Sequence, residues 1–257
     1  MTGIHVRHWP GDPSRPALAI HCMMGSGRAF EPVAQRLAGR VDLRAFDLPS
    51  HGRSAPWRPA AGEDYHSTVT RIADGLLGDG PVDLIGHSIG GTVALRLAVD
   101  APDRVRSLTL IEPVLFAAST SGHALDDELA ALIAAGRMEP AARLFLDAWG
   151  APGGFDRMPR SMQQAAVGLM PLILDTDAAL SADFHGILRP GGLERVRAPV
   201  MLIGGALSPP VVGEILDSLA ARLPHAIRAT VPRAGHMAPV THRNEVAALV
   251  AENLGRA

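Results

Sequence analysis

The sequence contains very little cysteine: Cys22 is the single one among 257 residues. One cysteine cannot close an intramolecular disulfide or build a multi-cysteine zinc site, and this usage fits a reducing compartment. The N-terminal stretch lacks the continuous apolar segment of a signal peptide, and no apolar run reaches the roughly 18–20 residues of a membrane span. We therefore expect a cytoplasmic protein without a membrane partner.

An excess of either charge is also absent. Lysine and arginine number 24 against 26 aspartate and glutamate residues, which gives a net charge of −2, and 47% of the residues are hydrophobic. This balance provides no electrostatic attraction to nucleic acid. The histidines lack the HxxxH and HxH spacings of metal sites, so we expect no metal. The length suits one large α/β domain with an insertion, as a monomer or homodimer.

What the sequence does contain is an alternation of strand-like and helix-like segments. Six short apolar runs have the length of buried strands: 16–22, 41–47, 82–88, 105–113, 198–205 and 226–232. Helical patterns lie between several of them or at the end of the chain: 30–39, 68–78, 91–102, 209–224 and 241–254. Such alternation predicts an α/β fold with a mostly parallel central sheet and helices on both of its faces.

The alternation stops between residues 114 and 197. Here "ALDDELAALIAAG", "EPAARLFLDAWG" and "PRSMQQAAVGLMPLIL" read as successive amphipathic helices with no strand between them. An insertion between two strands of such a sheet lies above the edge where binding loops gather. We therefore divide the chain into a core, residues 1–113 and 198–257, and a helical cap or lid, residues 114–197.

The stretch "LIGHSIGGTVALRLAV", residues 84–99, runs from an apolar strand through a glycine-flanked serine into a helix. So tight a turn forces Ser88 toward positive φ and requires almost no side chain at Gly86 and Gly90. Strain of this kind costs about 1–3 kcal/mol and persists at functional sites. Ser88 is therefore a candidate nucleophile, and it needs a base because a serine hydroxyl is weakly nucleophilic. His236 in "RAGHMAPVTH", which follows the last predicted strand, has the right place in the chain to be that base.

Taken together, these motifs resemble the α/β-hydrolase fold. The resemblance rests on Gly86-His87-Ser88-Ile89-Gly90 as the nucleophile elbow, Gly235-His236 as the base loop, "HCMMGSG" (21–27) as the oxyanion loop and "FDLPSHGRS" (46–54). It implies that the backbone N–H groups of Met23 and Ile89 hold the oxyanion. The chain departs from the common His-Gly of that loop by having Cys22, which is either a reactive thiol or a buried, inert one.

The acid of the expected triad is the second departure. In the commonest arrangement of the family an aspartate follows the strand "PVMLIGG", but here the loop is "GGALSPP" with Ser208 at that place. Some members take the acid from the end of the strand after the nucleophile helix, where this chain has Glu112. We predict Glu112 as the acid, with Asp183 and Glu214 as weaker candidates. The alternative for Glu112 is that it only anchors the start of the cap.

The sequence thus predicts a cofactor-free serine hydrolase that cleaves a carboxylic ester or related acyl bond through an acyl-enzyme, with Ser88, His236 and Glu112 as catalytic residues. Lactone, thioester and C–C bond hydrolysis or perhydrolysis would use the same groups, and a ligand-sensing protein on this fold is a further alternative. The cap sequence is apolar with few charges, so we expect a small-molecule substrate with an apolar or amphipathic acyl group.

Overall fold

The fold is organised around one twisted sheet. A computed structural model describes residues 3–121, 124–150 and 153–257. The strands of these residues are β1 (Val6–Trp9), β2 (Pro16–Ile20), β3 (Asp42–Phe46), β4 (Val82–His87), β5 (Val105–Ile111), β6 (Val200–Gly205) and β7 (Ala226–Val231). They lie in the order β1-β3-β2-β4-β5-β6-β7, and all neighbours are parallel except β1 and β3.

The central strands are covered on both faces, as their continuous apolar runs predict. Every residue of β4 is buried, and β2, β5 and β6 are nearly so. The six predicted strands agree with the observed ones to within two residues at each end, and the predicted α/β class is confirmed. The sequence analysis missed β1, because "VRHW" is short, half-buried and carries charged side chains at an antiparallel edge.

Helices pack on both faces of the sheet. They are α1 (Glu31–Arg36), α2 (Tyr65–Asp74), α3 (Ile89–Asp100), α4 (Ala124–Ala134), α5 (Met138–Trp149), α6 (Gly154–Arg157), α7 (Arg160–Ser181), α8 (Pro210–Arg222), α9 (Ala238–Thr241) and α10 (Arg243–Leu254). Side chains of α1 and α10 form one apolar layer, and those of α2, α3 and α8 form the layer on the opposite face. In the described part of the chain, no helix is both long enough and apolar enough to cross a bilayer.

The region between β5 and β6 contains helices and turns but no strand in its described residues, and residues 122–123 and 151–152 lie outside them. Its helices have an apolar cluster of their own, which includes Ile133, Phe155 and Met170. This unit is tied to the sheet layers by apolar packing and by hydrogen bonds. Trp149 and Leu172 pack into the layer that holds α3, and the backbone N–H of Tyr65 donates to the Asp175 carboxylate at 2.6 Å.

Candidate active site

The connection between β4 and α3 is the sharp turn that the glycine pattern predicts. Ser88 has φ 58° and ψ −122°, a strained conformation for a residue with a side chain. A Cβ atom on Gly86 would lie 2.2 Å from the Gly90 carbonyl oxygen, and one on Gly90 would lie 2.2 Å from the Ile20 carbonyl oxygen. Only glycine fits at both positions. The Ser88 N–H donates to the Ile111 carbonyl at 2.9 Å, which holds the strained residue in place.

A buried glutamate and a buried histidine meet beside this turn. Glu112 follows β5 directly, is fully buried and has φ 46°. The Nδ1–H of His236 donates to Glu112 Oε2 at 2.7 Å. With its proton held at Nδ1, the imidazole keeps a lone pair on Nε2, which is the tautomer that a general base requires.

The other carboxylate oxygen of Glu112 is held by the loop after β6. Oε1 accepts a hydrogen bond from the Gly205 N–H at 2.6 Å and another from the Ser208 hydroxyl. A buried carboxylate is stable only when its oxygens are hydrogen-bonded or paired. The loop in which an aspartate was expected therefore supplies two donors to an acid from the neighbouring strand.

The two weaker acid candidates have other partners. Asp183 accepts the backbone N–H groups of Ile187 and Leu188 at 2.7 and 2.8 Å, within its own turn. Glu214 accepts hydrogen bonds from Thr120 and Ser121 at the protein surface. Both carboxylates are thus hydrogen-bonded by groups other than His236.

A second buried histidine connects the elbow to the base loop. The Nε2–H of His87 donates to the carbonyl oxygen of His236 at 2.9 Å, and the two ring centroids are 5.0 Å apart. Burial, with the nearby His236 as a smaller cause, holds the pKa of His87 well below 6.5. His87 is therefore a neutral donor that fixes the backbone on which His236 is mounted. The sequence analysis assigned it no role.

The loop after β2 is held by neutral histidines as well. His21 donates from Nδ1 to the Cys22 carbonyl at 2.7 Å and accepts the Leu48 N–H at 2.9 Å. Burial lowers the pKa of His21 to about 3, so it orients this loop as a neutral group. His51 accepts the N–H of Met24 at 3.0 Å. Burial raises the pKa of the Cys22 thiol to about 12, which excludes a reactive thiolate there.

The two predicted oxyanion donors lie on the same cavity as the catalytic candidates. Met23, Ile89, Ser88 and His236 all line it. Ile89 is the first residue of α3, so its N–H has no acceptor within the helix and lies at the positive end of the helix dipole. The floor of the cavity thus combines a hydroxyl, an imidazole and a free helical N–H.

The cavity has a volume of about 610 Å³, and its walls come mainly from the helices between β5 and β6. Trp149 packs against His236 with ring centroids 4.8 Å apart. The other apolar wall residues include Val114, Phe116, Leu129, Ile133, Phe145, Ile173 and Leu180. Asp127 and Asp177 are the acidic wall residues, and no arginine is found among the described ones. The described residues also contain no cluster of three His, Cys, Asp or Glu side chains able to hold a metal ion.

The chain is similar to a family of known proteins in sequence and in fold. A model of the "Alpha/beta hydrolase family" matches residues 17–249. Lipase LipV of Mycobacterium tuberculosis is 31% identical over 281 aligned positions, which cover 98% of each chain. Pimeloyl-[acyl-carrier protein] methyl ester esterase of Neisseria meningitidis serogroup B is 31% identical over 255 positions, covering 93% of this chain and 92% of the esterase. Among solved structures, 2-hydroxy-6-oxo-6-phenylhexa-2,4-dienoate hydrolase from Rhodococcus sp. strain RHA1 has a TM-score of 0.76 at 22% identity over 99% of both chains.

Proposed function

Because this chain belongs to the alpha/beta hydrolase family, we propose that it is a serine hydrolase of carboxylic esters in which Ser88, His236 and Glu112 form the catalytic triad. Two of the relatives that align along more than nine-tenths of this chain are named a lipase and a methyl ester esterase. The same class of bond suits a site with a serine hydroxyl at its floor and a mainly apolar wall.

One observation carries the proposal. The 2.7 Å hydrogen bond from His236 Nδ1 to Glu112 Oε2 joins two buried groups from distant parts of the chain, and His236 lines the same cavity as Ser88. A buried carboxylate on Nδ1 does what a triad acid must do, since it selects the tautomer with a basic Nε2 and stabilises the imidazolium once that forms. An anchor for the inserted helices would not require a histidine partner.

The proposed reaction is acyl transfer to Ser88 followed by hydrolysis. Ser88 Oγ attacks the acyl carbon while its proton moves to His236 Nε2, and the carbonyl π electrons move onto the oxygen to give a tetrahedral oxyanion. The N–H groups of Met23 and Ile89 stabilise that oxyanion. When it collapses, the C–O bond to the alcohol breaks and His236 returns the proton to the leaving alkoxide. Water then cleaves the acyl-enzyme with His236 again acting first as base and then as acid, which releases the carboxylic acid.

The division of the chain into a core and a cap is part of the proposal. Residues of 114–197 supply most of the cavity wall above Ser88, which supports their role as a cap that shapes the acyl pocket. The wall is largely aliphatic and aromatic, and its charged members are the exposed carboxylates of Asp127 and Asp177. An uncharged apolar or amphipathic acyl group fits these surroundings, whereas an anionic chain would be repelled.

A panel of substrates tests the proposal. We would assay p-nitrophenyl acyl esters of increasing chain length, lactones and acyl thioesters with the wild-type protein, Ser88→Ala and Ser14→Ala. Ser14 is a suitable control because it is exposed, bonds to Asp12 and precedes β2 at the end of the sheet away from the cavity. The proposal predicts ester turnover that disappears in Ser88→Ala and persists in Ser14→Ala. Turnover of lactones or thioesters but not of simple esters would show that the protein is a lactone or thioester hydrolase and not an ester hydrolase. Undiminished ester turnover in Ser88→Ala would refute the triad.

A further inference from the structure

We infer that Ser208 is a positioning residue for Glu112: its hydroxyl fixes the carboxylate so that Oε2 faces His236, and its hydrogen bond stabilises the negative charge of that carboxylate. This inference rests on the proposed function, because Ser208 acts through the triad and has no contact with the cavity of its own. It gives a role to the residue that stands where the family's usual aspartate was expected.

The loop that carries Ser208 is held rigidly beside the base loop. The Ser208 N–H donates to the Gly205 carbonyl at 3.2 Å, which closes a tight turn directly after β6. The Ala206 N–H donates to the carbonyl of Val231 at 3.1 Å, and the Leu207 N–H donates to that of Ala234 at 2.8 Å. The turn is therefore fastened to the segment that leads into His236. Its donors keep a fixed place relative to the imidazole.

Both donors of this turn reach the same oxygen of Glu112. The Gly205 N–H and the Ser208 hydroxyl bond to Oε1, and Oε2 is left to the Nδ1–H of His236. Two donors on one oxygen fix the plane of the carboxylate as well as its position. They also share the negative charge of a buried carboxylate whose partners in the described part of the chain are Gly205, Ser208 and His236.

Loss of the hydroxyl has a definite effect on protonation. A donor to a carboxylate stabilises its ionised form, so removing the donor makes the Glu112–His236 pair hold a proton more tightly. His87 packs against His236 and remains neutral because burial lowers its pKa well below 6.5, and the carboxylates of Asp127 and Asp177 line the same cavity as His236. Each turnover must begin with the Nε2 of His236 unprotonated, because this atom takes the proton of Ser88. The acid limb of the rate profile therefore moves to higher pH when Ser208 loses its hydroxyl.

The chain offers a matched control for this substitution. Ser107 donates its hydroxyl to the buried carboxylate of Asp83 at 2.6 Å, so Ser107→Ala also deprives a buried carboxylate of a serine donor, but at the opposite end of β5. Ser208→Thr retains the hydroxyl, and Ser208→Cys keeps a side chain of similar size with a weaker donor.

We would measure kcat, KM and the pH dependence of kcat for these variants with the best ester of the panel. Ser208→Ala is expected to lower kcat about 5- to 50-fold with little change in KM, and to move the acid limb up by about half a pH unit to one unit. Ser208→Thr should keep a kcat and an acid limb close to those of the wild type, and Ser208→Cys should have intermediate values. If Ser208→Ala does not fold, the cysteine variant tests the inference in its place. Ser107→Ala should lower Tm and leave the acid limb in place.

The outcomes separate this inference from the proposed function. If Ser88→Ala is inactive but Ser208→Ala and Ser208→Cys keep both the wild-type kcat and the wild-type acid limb, Ser208 only closes the turn and this inference is wrong. An equal loss in Ser208→Thr and Ser208→Ala would also overturn it. If Ser88→Ala keeps its turnover, the triad and the role of Ser208 are both refuted.

Discussion

Two buried carboxylates at opposite ends of β4 and β5 have very different partners. Asp83 lies near the start of β4 and is fully buried. Its Oδ2 pairs with Arg15 Nε at 2.9 Å and Arg106 Nη1 at 3.3 Å, and its Oδ1 accepts the Ser107 hydroxyl at 2.6 Å. Two guanidinium groups, which remain charged at any pH a protein meets, neutralise this carboxylate permanently.

Glu112 is equally buried, but it lies at the carboxyl end of β5, and its ion-pair partner within the described residues is a histidine. The charge of His236 depends on whether its ring has taken up a proton, so this carboxylate gains a cation only when a proton arrives. Burial of an acid alone therefore does not mark a catalytic group. Under the proposed function, the carboxylate beside a histidine serves the chemistry and the carboxylate between two arginines serves stability.

The largest effect is expected from Glu112→Gln. The amide cannot stabilise the imidazolium and can donate to Nδ1, which selects the wrong tautomer, so turnover should fall about 10²- to 10⁴-fold. The protein should still fold, because the amide retains the shape of the side chain and an acceptor for Gly205 and Ser208. Steady-state kinetics and circular dichroism measure both properties. A near-normal rate would reduce Glu112 to an anchor of the inserted helices.

The same change at the other carboxylate should affect stability and not chemistry. Asp83→Asn leaves Arg15 and Arg106 without their counter-charge, and we expect a loss of about 3 kcal/mol in the free energy of unfolding. This is at the lower end of the usual range because the side chains of Arg15 and Arg106 are about a quarter exposed. Urea unfolding of both proteins measures this loss of free energy. Below the unfolding transition, the kcat of Asp83→Asn should equal that of the wild type. A fall in kcat with unchanged stability would contradict the conclusion that Asp83 serves stability and not the reaction.

The third effect is smaller and concerns two buried histidines that stay neutral in the folded protein above about pH 3. Burial lowers the pKa of His21 and of His66 to about 3. In the unfolded chain both take up protons below about pH 6.5, so acid favours unfolding. As the pH falls from 6.5 to 3, each of these histidines should lower the free energy of unfolding by about 1.4 kcal/mol per pH unit.

Urea titrations from pH 7.5 to 4.5 check this slope. His66→Asn should make it less steep by about 1.4 kcal/mol per pH unit, and His225→Asn, at an exposed histidine, is the control. A slope that His66→Asn leaves unchanged would contradict the assignment of His66 as a neutral buried group.

The α/β core was predictable from the sequence because its signals are local. Apolar runs marked the six parallel strands, and Gly86 and Gly90 marked the elbow, since a Cβ at either position would collide with backbone. The start of α2 was placed three residues late. Asp64 caps that helix by accepting the Ser67 N–H, and the capping residue lies outside the apolar pattern that predicted the helix.

The parts of the site that escaped prediction depend on contacts between distant segments. The sequence analysis treated Ser208 only as a missing aspartate, yet its hydroxyl bonds to Glu112 across 96 positions of the chain. His87 reaches the carbonyl of His236 across 149 positions. Neither contact has a signature in the residues that surround it. The proposal of Glu112 as the acid came from the resemblance to a family, and the loop that holds it required the structure.

Covalent labelling tests the central claim most directly, because it reports the nucleophile and its activation without a choice of substrate. Intact mass after treatment with a fluorophosphonate should show one adduct on the wild type and none on Ser88→Ala. Asp83→Asn should label at the wild-type rate, and Glu112→Gln should label at least about 100-fold more slowly. An adduct that forms on Ser88→Ala at the wild-type rate, or a Glu112→Gln variant that labels as fast as the wild type, would contradict the triad of Ser88, His236 and Glu112.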